Sequence, residues 1–102
     1  MARRLQLHEE LCSILGSRNV YFQPPESVKL KYDAIVYKII DRDDLRANDH
    51  RYRGLVAYEI MYIYKDPDSA ISDALLNSFT YISYGRSYVV DNLHHEIFTI
   101  YY

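Results

Sequence analysis

Apolar residues recur along this chain in two rhythms, and the switch between them marks its elements. Leu7, Leu11, Ile14 and Leu15 lie at offsets of four, seven and eight, which is one stripe at helical spacing. The spacing predicts a helix over Leu5–Leu15. Gly16 stands where a left-handed C-terminal cap belongs. Arg3 and Arg4 at the other end oppose the helix dipole, a mild mismatch. Asn19–Gln23 is a short strand-like run stopped by Pro24-Pro25.

The rhythm then shortens. Asp33–Asp41 holds Ala34, Ile35, Val36, Tyr37, Ile39 and Ile40, interrupted only by Lys38. Apolar residues on both faces predict a strand covered on both sides. Tyr52–Lys65 is the longest β-like run. Tyr52, Val56, Tyr58, Ile60, Tyr62 and Tyr64 alternate onto one face. The other face is apolar in the middle and charged at its ends.

Asp66-Pro67-Asp68-Ser69 reads as a helix start, with a capping Asp, a first-turn Pro and an acid for the dipole. Ile71, Ala74 and Leu75 then predict a short helix ending near Asn77. Phe79–Tyr84 reads as a strand, Gly85-Arg86 as a turn and Tyr88–Val90 as a short strand. Asp91-Asn92 begins another turn. Glu96–Tyr102 closes the chain as a strand, with Phe98, Ile100 and Tyr102 on one face. The order is α-β-β-β-α-β-β(β). It predicts an α+β fold with two helices packed on one mainly antiparallel sheet.

Length makes this one domain over residues 1–102, with room for a core that needs neither disulfide nor metal. Twelve basic and 14 acidic residues give a formal net charge of -2, against a dedicated nucleic-acid binder. Cys12 alone excludes an intramolecular disulfide framework and fits a reducing compartment. No apolar run approaches the roughly 20 residues of a membrane span. The basic start at Met1–Arg4 is not followed by the apolar stretch of a secretory signal. The expectation is a soluble protein made in the cytoplasm. Tyr, with an apolar body and a polar tip, occurs 12 times. It suits both strands and half-buried contact surfaces.

Candidate chemistry is thin. His8 and Cys12 share a helix face, but His94 and His95 point to opposite sides of a strand. No four convergent metal ligands emerge. Cys12 lies in a helix interior rather than at an activating N-terminus. There is no nucleophile elbow, Walker loop or glycine-rich phosphate cradle. The expectation is no enzyme, no metal and no cofactor.

Two features point to contact surfaces instead. Asp41–Arg53 holds four Arg and four Asp in thirteen residues. It reads either as a solvated loop or as a binding loop whose ion pairs set register with a partner. The tyrosines of the long strand could line a partly wet surface. On spacing and composition, Arg46, His50, Arg51, Arg53, Tyr62 and Tyr64 are the candidate interface residues.

Three blocks carry a family resemblance: YFQPPESVKLKYDAIVYKI (Tyr21–Ile39), DPDSAISDAL (Asp66–Leu75) and YVVDNLHHEIFTIYY (Tyr88–Tyr102). They resemble the tail terminator, tail completion or tail-to-head joining proteins of long-tailed bacteriophages. One departure is Asp33, where similar sequences tend to carry Pro.

The resemblance implies a structural virion protein of the tail or neck, assembled in the host cytoplasm. It implies a hexameric ring on the last ring of the tail tube that stops tube polymerisation. Its implied partners are copies of itself, the major tail tube protein and the head connector or stopper. DNA would pass through the ring without sequence-specific binding, and no membrane is involved. The family brings no catalytic residues. Two other readings stand beside it: a head-side connector or stopper of the neck, and a small binding or regulatory module outside the virion.

Overall fold

A computed structural model describes residues 2–40 and 55–102. Among them the elements run helix α1 (Ala2–Leu15), β1 (Val20–Phe22), β2 (Ala34–Ile39), β3 (Ala57–Tyr64), helix α2 (Ile71–Ser78), β4 (Ile82–Val90) and β5 (Leu93–Tyr101). This is the predicted α+β order. The strands form one sheet in the order β1-β2-β3-β5-β4. Every pairing is antiparallel except β1 with β2, which run parallel.

Both helices lie on one face. Leu7 and Leu11 of α1 and Leu75 of α2 are fully buried against Ile35, Tyr37, Ile60, Phe98 and Ile100. Full burial of a Leu contributes about 1.5–3 kcal/mol, so these side chains fix which face the helices take. Gly16 has φ 81 and donates its N–H to the Cys12 carbonyl at 2.8 Å, the expected left-handed cap.

The mismatched charge near the start of α1 has a packing reason. The Arg4 guanidinium sits 4.3 Å from the centroid of the Phe22 ring on β1. Contact with the sheet outweighs a dipole effect of a few tenths of a kcal/mol.

Four sequence expectations are corrected. Asp66 does not cap α2. Its carboxylate accepts the Asp68 N–H at 2.9 Å, closing a separate turn, and the N-cap residue is Ala70. A short acidic side chain followed by Pro satisfies its own turn before the helix begins. Gly85-Arg86 is not a turn either. Tyr84 pairs with Phe98 and Arg86 with Ile97, so Gly85 is the extra residue of a bulge inside one long strand. A Cβ on Gly85 would meet the Ile97 carbonyl oxygen at 3.0 Å, which is why glycine stands there. The last strand begins at Leu93 rather than Glu96, because the Asp91-Asn92 turn folds β5 straight back on β4. Both turn residues have positive φ, 53 and 64, as a tight hairpin requires. Finally, β2 is not uniformly covered: Lys38 is exposed and pairs with Glu59 of β3 at 3.7 Å.

Asp33 has a defined role. Its carboxylate accepts the Lys65 N–H at 3.1 Å, tying the start of β2 to the end of β3.

Candidate functional site

Strand register decides where the tyrosines point. Tyr58, Tyr62 and Tyr64 stand opposite Ile100, Glu96 and His94 of β5, on the face that carries the helices. Tyr62 is fully buried and Tyr64 is 7% exposed. Within one subunit both are core residues and offer little surface to a partner. Arg46, His50, Arg51 and Arg53 lie outside the described residues.

Polar tips explain why Tyr rather than Phe fills these positions. The Tyr62 hydroxyl meets Ser69 Oγ at 2.8 Å, and the same oxygen accepts the Ile71 N–H at the start of α2 at 3.2 Å. Ser72 of α2 donates to the Glu96 carboxylate on β5. Tyr64 stacks between Tyr62, at 4.5 Å between ring centroids, and His94, at 5.1 Å. Burial, followed by the neighbouring Glu96 charge, pushes the Tyr64 phenol up to about 12. Burial also raises Tyr62. These groups pin α2 to the sheet.

A matching pin holds α1. Arg4 donates to the Tyr37 hydroxyl at 3.1 Å, and His8 Nδ1 lies 2.8 Å from that oxygen. The Tyr37 ring packs against Phe22, His8 and Tyr58. Arg18, just past the helix, makes a two-pronged ion pair with Glu9 at 2.8 and 2.9 Å. Cys12 is buried beside these groups, and desolvation raises its thiol pKa, the reverse of an activated nucleophile.

The face away from the helices is different. Ala34, Ile63 and Ile97 are buried, and Val36 and Met61 are half-buried. They form an apolar strip across β2, β3 and β5. Toward β4 the strip ends in a stack of Tyr88 on His95, with centroids 4.8 Å apart and the Arg86 guanidinium 5.7 Å from the Tyr88 ring. Toward β1 it ends in a shallow groove of about 550 Å³ lined by residues that include Gln23, Pro24, Lys38 and Glu59.

The other feature is an edge. β4 is the outermost strand beyond β5, nine residues long, and all but Ile82 are exposed. Tyr84, Tyr88, Val89 and Val90 stand out along it, with Val89 59% exposed. Sequence reasoning missed this because it divided β4 at Gly85. The available signal was the tight Asp91-Asn92 turn, which demands a long partner for β5.

Among the described residues, no group of three or more His, Cys, Asp or Glu side chains could hold a metal ion. Likewise, no described helix is long and apolar enough to cross a membrane. Comparison of the chain with protein-family models, curated proteins and solved structures returns no match.

Proposed function

We propose that this chain is a structural protein of a long-tailed bacteriophage tail. In this reading it caps the tail tube as a ring of six copies, ends tube polymerisation and joins tail to head. The observation that carries the reading is the β4 edge, nine residues long with four exposed large apolar side chains. Exposed edges of this kind invite pairing with another chain, and soluble proteins usually shorten or cover them. A closed ring supplies a cover, because each subunit presents one surface to a different surface of the next. Further support comes from the resemblance of Tyr21–Ile39, Asp66–Leu75 and Tyr88–Tyr102 to tail terminator proteins. The polar side chains described above also fit the reading, because they are committed to docking helices rather than to a shared cavity.

Electron microscopy of particles assembled without the protein tests the reading. Filled heads beside unjoined, over-long tails are expected, and adding the purified protein should restore joined particles. Tails of normal length beside heads that leak DNA would favour the head-side connector instead. Normal joined virions would overturn both readings.

A further inference from the structure

Two side chains converge on the Tyr37 hydroxyl, and the donor count leaves a single arrangement. Arg4 can only donate, and it donates to Tyr37 Oη. The Tyr37 side chain is fully buried, so its own proton needs an acceptor. His8 Nδ1, 2.8 Å away, is that acceptor. His8 must therefore be neutral, with its proton on Nε2. A proton on Nδ1, in the neutral or the charged ring, would set two donors on one oxygen and leave the buried Tyr37 proton without a partner.

The surrounding charges act in the same direction. On α1, Arg4 and Glu9 face His8, and Cys12 lies deeper as a neutral thiol. Arg18 follows the helix. β2 brings Tyr37, and β3 brings Tyr58 behind it. β1 contributes Val20 and Phe22, neither titratable, and α2 brings no charge to bear on His8. Among the described residues Glu9 is the anion that acts on His8, and it is already held by Arg18.

We infer that α1 is an acid-weakened latch: neutral His8 helps lock the helix onto β2 through Tyr37, and protonation of His8 loosens it from the sheet. Release would uncover Val20, Phe22, Ile35 and Tyr37, the apolar surface now beneath α1. The sign follows from the folded state. Desolvation, then Arg4 and Arg18, lower the His8 pKa below its ordinary value. The His8 contribution to docking is thus complete above about pH 6.5 and is lost as pH falls through the folded value.

The test is amide hydrogen exchange of α1 against β3 and β5 between about pH 7.5 and 5, corrected for intrinsic rates, with the His8 ring followed by NMR. Protection of Leu7 and Leu11 is expected to fall with pH while the central strands stay protected. His8→Gln keeps an acceptor for Tyr37 but cannot charge, so its α1 protection should not vary with pH. Arg4→Leu gives a second check, because it removes a cation that opposes the charging of His8, and the loss should shrink. Undiminished α1 protection at low pH in the wild type would overturn the latch. So would an unchanged pH response in both variants. Neither result bears on tail assembly.

Discussion

At the scale of single residues, the tyrosines do two jobs at once. Their rings fill the core and their hydroxyls reach polar groups on the helices, so each adds both packing and direction. The arrangement has a cost at high pH, because a buried phenolate loses both hydration and hydrogen-bond geometry. Tyr37, Tyr62 and Tyr64 all have raised pKa values, first through burial, and Tyr64 reaches about 12. A raised folded pKa gives stability that is intact below the unfolded value near 10 and is lost as pH rises through the folded one. In an alkaline titration followed by phenolate absorbance and circular dichroism, Tyr37, Tyr62 and Tyr64 should ionise only as the fold is lost, Tyr64 toward about pH 12. Ionisation of every tyrosine near pH 10 with the fold intact would contradict the burial described here. Such burial was only half legible in the sequence. Alternation placed Tyr58, Tyr62 and Tyr64 on one face, but alternation is symmetric. Nothing in a strand's own residues says which face the helices will choose when both are apolar.

At the scale of elements, local chemistry predicted well at Gly16 and Asp91-Asn92 and failed at Asp66, which closes its own turn instead of capping α2. Gly16 caps α1, and Asp91-Asn92 turns the last hairpin. Prediction also failed where distant contacts decided. The bulge at Gly85 exists because β5 sets the register on both sides of it, and glycine in isolation signals a turn just as well. The parallel pairing of β1 with β2 was likewise invisible, since Val20–Phe22 is only three residues long. The hairpin turn offers a clean check. Asn92 has φ 64, a left-handed conformation that Asn tolerates and Ala resists. Asn92→Ala should cost about 1 kcal/mol in urea denaturation, whereas Asn92→Gly should be neutral or slightly stabilising. Equal stability of the two variants would mean that the turn does not hold this geometry in solution.

At the scale of the whole molecule, the two faces of the sheet and its β4 edge are built for different ends. The helix face spends its apolar surface within the chain. The edge leaves Tyr84, Tyr88, Val89 and Val90 outside. On the proposed reading this division separates folding from assembly, and substitutions can probe the two independently. Val89 is 59% exposed at the end of the edge strand and stands opposite His94. Val89→Lys exchanges an exposed apolar group for a charge of the kind that blocks edge pairing. Its effect on the melting of the isolated chain should be small, within about 0.5 kcal/mol. Leu11→Ala, in the buried stripe of α1, should cost about 2–5 kcal/mol. If copies meet along β4, the order reverses in particle assembly. Val89→Lys should then leave heads and tails unjoined, while Leu11→Ala at permissive temperature should still join them. Normal joining by Val89→Lys would remove β4 from the contact and shift the search to the apolar strip on the far face, from Val36 through Met61 to Ile97.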